Sequence, residues 1–283
     1  MWAMNNPRIR LMEKPRRIFG IDFSGTQDAG KKIWITMGIS AGDALVVEDC
    51  IRARDLPNSG KRLEACLPTI VELVRSNQNA VFGFDFPFGL ARPLIKETTW
   101  AEWLFSFHSQ FKNPDDFKKK CFSQAGYQEL KRHTDNEAHT PFSPCNLRLY
   151  KQSYYGISGI LAPLVKDYRA CILPFHTPVD GKPLILEICP ASILKAHRLY
   201  ETYKFRSKED RPETRSKILE EIERLYPLIF SNPNTRQSII ADRHGDALDS
   251  LLAALAAFNA DKNGYALTPD DNCYWKIEGY VYV

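Results

Sequence analysis

Residues Phe19–Thr26 read FGIDFSGT, an apolar run that delivers one acid, Asp22, to a Ser-Gly turn. A buried carboxylate without a partner is costly, so something in the rest of the chain has to face it. Working outward, Arg17–Phe23 has the apolar density of a buried strand. Lys32–Gly38 and Ala44–Ile51 follow as two more, separated by Gly and Asp punctuation. Such short connections predict an antiparallel meander. Gly60–Ser76 then spaces Leu63, Leu67, Ile70, Val71 and Val74 as a helix does, with Pro68 predicting a kink or a late start.

Two later stretches repeat the opening pattern. AVFGFDFPFGL (Ala80–Leu90) is a short apolar strand ending in Asp85. PLILEICPAS (Pro183–Ser192) is a strand carrying Glu187, with Pro190 where a helix starts. RHGDALDSLLAALAAFNA (Arg243–Ala260) is the strongest helix in the chain, because Ala and Leu dominate it. The terminal CYWKIEGYVYV reads as a hairpin. Residues 91–180, rich in aromatics, Lys and Arg, are too long for a plain loop and are expected to form a helical insertion or lid. The order of three strands, helix, strand, insertion, strand and helices predicts an α/β chain with an RNase H-like mixed five-stranded sheet flanked by helices. One domain over 17–283 is expected, preceded by a flexible tail over 1–16.

The bulk properties are those of an ordinary soluble domain. Of 283 residues, 44% are hydrophobic and 25% charged, and the net charge is +4. That charge permits a polyanionic partner without demanding one. Seven scattered cysteines with no CxxC pair point to free thiols in a reducing compartment, hence the cytoplasm, and away from a disulfide framework or zinc. No apolar run approaches a membrane span.

Asp22 and Asp85 end strands, Glu187 sits in a third, and Asp246 and Asp249 open the long helix three residues apart on one face. Sites in open α/β sheets form beyond the carboxyl ends of strands. Taken singly, each acid has an ordinary explanation: strand-end aspartates make turns, and Asp246 is placed to cap its helix. Taken together they would crowd, and like charges so close require a cation. An all-oxygen donor set suits Mg²⁺ or Mn²⁺.

GIDFSG, GFDFPFGL, LEICPA, GDALDSLLAALAA and the terminal IEGYV resemble, in order, the successive motifs of the domain-of-unknown-function family 429, predicted RNase H-like nucleases related to the RuvC resolvases and YqgF nucleases. The resemblance runs from Phe19 to Val281. In the insertion it is loose, carried by KRHTD (Lys131–Asp135) and YYGISG (Tyr154–Gly159). It implies an RNase H-like fold with acids on the first strand, the fourth strand and the last helix, here Asp22, Asp85, and Asp246 with Asp249, and a fifth-strand acid at Glu187.

A metal-dependent nuclease is therefore expected, with two divalent ions acting on a phosphodiester. Asp22, Asp85, Asp246 and Asp249 would be ligands, with Glu187 orienting water or binding metal. Lys131, Arg132, Arg148, Arg243 and His244 would contact the nucleic acid or nucleotide substrate. Trp100, Trp103, Tyr154 and Tyr155 would either stack on bases or pack the lid. Two alternatives remain open on the sequence. One is an actin-like phosphotransferase or ATPase, for which DFSGTQ passes as a phosphate loop. The other is a binding module with the same fold.

Overall fold

The computed structural model describes residues 15–267 and 273–283, so all but the last two residues of the expected N-terminal tail lie outside the described residues. Strands β1 (Arg17–Asp22), β2 (Trp34–Ala41) and β3 (Ala44–Arg52) form the antiparallel meander, and α1 (Leu63–Ser76) follows. The helix starts three residues later than the periodicity predicts and keeps Pro68 inside its second turn. Strand β4 (Val81–Asp85) then pairs parallel to β1.

The insertion is largely helical. It contains α2 (Trp100–Gln110), α3 (Pro114–Gln124), α4 (His133–Glu137) and α5 (Tyr150–Gly156), joined by a π-helical turn at Ile157–Leu161 to α6 (Ala162–Lys166). It also ends in a strand that the sequence did not announce, β5 (Cys171–Ile172). The chain returns through β6 (Leu184–Ile188), α7 (Pro190–Ala196), α8 (Pro212–Leu225), β7 (Leu228–Phe230), α9 (Pro233–Ala241) and α10 (Asp246–Lys262). The terminal segment is not a hairpin. It forms α11 (Trp275–Glu278) and β8 (Val281–Tyr282), which pairs parallel to β6.

The sheet is mixed and has eight strands among the described residues, ordered β5-β6-β4-β1-β2-β3-β7 with β8 beside β6. The five expected strands are its centre, β6-β4-β1-β2-β3. Short pieces extend both edges: β7 parallel to β3, and β5 and β8 on successive lengths of β6. The expectation of five strands falls short because two- and three-residue strands carry no periodicity to read.

Side chains alternate between the two faces. Phe19, Ile21, Phe82, Phe84 and Ile185 face α1 and the insertion helices, while Ile18, Val81, Leu184, Leu186 and Ile188 face α7–α10. Helix α10 is buried on nearly every side from Ala247 to Phe258, which its small residues permit. It lies against strand backbone. A Cβ on Gly20 would stand 2.1 Å from Ala254 N and from Ser250 O, and one on Gly83 would stand 2.6 Å from Ala253 O.

No helix among the described residues is long and apolar enough to cross a membrane, and Cys50, Cys66, Cys121, Cys145, Cys171 and Cys189 are free thiols.

Candidate functional site

The close seat of α10 on Gly20 fixes where its first turn falls. Two strand residues advance about 6.6 Å, and four helix residues about 6 Å. With Ser250 and Ala254 over Gly20, stepping from Gly20 to Asp22 therefore moves back one turn along α10, to Asp246 and Asp249. Register does the rest. Asp22 lies opposite Asp85 across the parallel β1–β4 pair, so both carboxylates leave the same face at the same level. Two strand ends and one helix start thus deliver four acids to one end of the sheet.

Asp246 is not the cap of α10. Asp242 takes that role, its Oδ2 accepting from the amides of Asp246 (2.8 Å) and Ala247 (3.1 Å). Gly245 makes the intervening turn with φ +74°, where a side chain would also meet the Tyr203 ring. Both acids of DALD are thereby freed for other work.

A cation stands among the acids, and the sequence reading missed it. Lys204 Nζ is 2.5 Å from Asp249 Oδ2 and 3.3 Å from Asp246 Oδ1. The adjacent Tyr203 hydroxyl donates to Asp249 Oδ1 at 2.6 Å. Lys204 sits in a loop with no periodic pattern or motif to single it out. Its burial opposes its charge, but Asp249 and the other acids outweigh this and hold the ammonium well above the ordinary lysine range.

One ammonium does not balance four carboxylates. Neither the Asp22 nor the Asp85 carboxylate accepts a hydrogen bond among the described residues. Burial, then repulsion from Asp246, Asp249 and Asp85, holds Asp22 well above the usual carboxylate range. Burial and then Asp249 push Asp85 up to about 8. Burial, partly offset by Lys204, raises Asp246 to about 6. As the side chains lie, around Lys204, no three His, Cys, Asp or Glu among the described residues are at metal-holding spacing. The donor chemistry still fits a hard divalent cation: oxygen ligands only, a surplus of negative charge, and a buried and a half-buried carboxylate, Asp22 and Asp85, without a donor.

Glu187 does not join this group. It registers with Phe84, one residue out of phase with Asp85, and so faces the opposite side of the sheet. Both its oxygens are taken there. Arg132 donates through Nη1 to Oε2 at 2.8 Å and through Nη2 to Oε1, and the Phe88 amide donates to Oε2 at 2.8 Å. Arg132 is 1% exposed and also grips Asp135 from Nε and Nη2. Arg132 is thereby committed to Glu187 and Asp135 as a buried cation, and both it and Glu187 lie in the wall of the cavity that Asp85 and Asp249 also line.

The other expected contacts divide. Lys131 gives its ammonium to the Thr140 carbonyl at 2.6 Å. Exposed Arg148 lies over the Phe142 ring and lines a cavity of about 340 Å³ that runs from Asp85, Asp249 and Lys204 to Tyr200 and Phe142. Arg243 lies 3.8 Å over Phe205, and His244 lines a second cavity on the other flank of Asp246. Trp100, Trp103 and Tyr154 are packed inside the insertion, Trp100 stacking on Phe175 at 3.9 Å.

No family model, curated protein or solved structure matches this chain.

Proposed function

We propose that this protein is a metal-dependent nuclease of RNase H-like fold, hydrolysing phosphodiester bonds at the cluster of Asp22, Asp85, Asp246 and Asp249. The observation that carries the reading is the convergence of these four acids at one sheet end, with a single ammonium among them in the described residues. The sheet order supports it. Its centre is an antiparallel β1–β2–β3 meander with β4 and β6 added parallel to β1, and the last long helix packs on β1 and β4. That order is the one an RNase H-like fold would have. It is shared by the actin-like phosphotransferases, but two strand-end acids without a donor, crowded by two more from the helix start, favour phosphodiester hydrolysis.

Asp22, Asp85, Asp246 and Asp249 would hold ions of the Mg²⁺ or Mn²⁺ type, which when bound make hydroxide available near neutral pH and stabilise a leaving oxyanion. The chain's own residues do the rest. Asp22 and Asp85, fixed by strand register, stay at constant separation. Asp242 holds the first turn of α10 and so the positions of Asp246 and Asp249. Lys204 neutralises part of the cluster at rest, and its half-exposed stem lets the ammonium turn to a phosphate oxygen once the acids have another counter-charge. Tyr203 keeps Asp249 in place through its hydroxyl. Arg148 stands in the adjoining cavity, within which the nucleotide beside the scissile phosphate would lie. Glu187, in the wall of this cavity, would act by anchoring the insertion through Arg132.

The test is cleavage of labelled single strands, duplexes, hybrids and junctions with Mn²⁺, comparing the wild type with Asp22→Asn and Asp249→Asn. Metal-dependent cleavage lost in both variants is expected. No cleavage of any substrate, or cleavage equal in the variants, refutes the proposal, and turnover of ATP in its place would favour the phosphotransferase.

A further inference from the structure

Four acids account for the chemistry but not for holding a polyanion, and the insertion supplies less positive charge than its composition promises, since Arg132 is buried and Lys131 is tied to a carbonyl. The cations lie on the opposite flank. A cavity of about 480 Å³ beside the cluster is lined by Lys31 and Lys32 of the turn before β2, and by Arg52 and Arg54 at the end of β3. Lys204 and Asp246 also line it, so it reaches the cluster at one of its four acids.

These charges are only loosely paired. Lys32 has no ion pair among the described residues. Lys31 meets Asp28 at 2.8 Å, at the surface. Arg54 meets Asp55 at 3.5 Å. Arg52 lies 4.7 Å over the Trp34 ring, its Nη2 is 3.8 Å from Asp242, and its buried Nε–H has no acceptor. Arg52 covers the Trp34 ring and Arg243 lies 3.8 Å over the Phe205 ring, with His244 edge-on to it, so the cavity offers cations to phosphates and little open aromatic face to bases.

We infer that the groove of Lys31, Lys32, Arg52 and Arg54 holds the sugar-phosphate backbone of a nucleic-acid strand next to the carboxylate cluster, without reading its sequence. This rests on the nuclease reading for the identity of the polyanion. Its physical basis is separate: phosphate contacts carry affinity and salt dependence, whereas base contacts carry specificity.

The test measures binding and not turnover. A fluorescent single-stranded oligonucleotide is titrated with the wild type and with the double variant Lys32→Ala, Arg54→Ala, in EDTA, over a range of salt. Lys32 is exposed and Arg54 half-exposed with only a surface pair to Asp55, so Tm should be nearly unchanged. The expected result is at least a roughly tenfold rise in Kd. The log–log salt slope should also shrink by about 1.4, from two contacts at ~0.7 each, and this should hold for oligonucleotides of unrelated sequence. The same Kd and slope in the double variant overturns the inference, as does binding to anionic lipid vesicles with none to the oligonucleotide. The two proposals fail separately. Cleavage with unchanged binding removes the groove and keeps the nuclease. Weakened binding in the double variant, with no cleavage by the wild type, keeps the groove and removes the nuclease.

Discussion

At the residue scale the molecule turns on charge balance around Lys204. Replacing it by Met removes the only cation in hydrogen-bonding contact with Asp246 and Asp249 among the described residues and leaves the acids to repel one another. Differential scanning in EDTA should show Lys204→Met with a lower Tm than the wild type, and saturating Mn²⁺ should close most of the gap. A gap of the same size with and without the ion would mean that Lys204 acts through packing alone. Acidity provides a second check. Asp85 is raised by burial and then by Asp249 to about 8, and Asp246 by burial to about 6, against ordinary values near 4 in the unfolded chain. Between those limits the folded state binds more protons than the unfolded one, so stability falls as pH rises. The metal-free protein should lose Tm from pH 5 to pH 8, and Asp85→Asn should flatten the decline. A Tm that rises over this interval, or an unaltered slope in the variant, would contradict the charge crowding.

At the scale of elements, two devices hold the site. One is the seat of α10 on glycine. Gly20→Ala puts a methyl 2.1 Å from Ala254 N and Ser250 O, and backbone atoms cannot step aside as a flexible side chain would. The helix must lift from β1, at a cost of roughly 1–3 kcal/mol or more, carrying Asp246 and Asp249 away from Asp22. Denaturant unfolding should register the loss. The other device is the buried network of Arg132, Asp135 and Glu187. It is extended by Glu278, whose carboxylate accepts from the amides of Arg92 at 2.7 Å and His133 at 2.6 Å. It ties the insertion, β6 and the C-terminal segment together. Breaking a buried pair leaves an uncompensated charge and costs about 3–5 kcal/mol, so Arg132→Ala should be strongly destabilised, whereas Arg148→Ala should keep wild-type stability. Equal stabilities for the two would overturn the structural role given to Arg132. KRHTD, LEICPA and IEGYV stand far apart in sequence yet meet in this one network, so part of what makes those motifs distinctive belongs to folding and not to catalysis.

For the whole molecule, what was legible in the sequence followed from periodicity and punctuation. The central strands, α1 and α10 all carry long apolar patterns, and strand-end acids at Asp22 and Asp85 could be placed together because parallel neighbours end at the same level. That Glu187 stands apart from the four aspartates could not be read, because a shift of one residue in register decides which face a side chain takes, and a lone strand does not reveal its register. Lys204 was invisible because it reaches the site from an irregular loop. The basic groove was missed because Lys31, Lys32, Arg52 and Arg54 come together only through β2–β3 pairing, while the richer charge of the insertion drew attention to the other flank. The resulting division of labour places carboxylates at the sheet end, a cavity walled by the insertion on one side and a basic groove on the other. The claim on which this rests is that the four acids form a divalent-cation centre. Calorimetric titration of Mn²⁺ into the wild type, Asp22→Asn and Asp249→Asn tests it most directly. Saturable binding by the wild type, weakened at least roughly tenfold in both variants while their folds stay intact, is the predicted result; no binding by the wild type, or equal binding by all three, would contradict it.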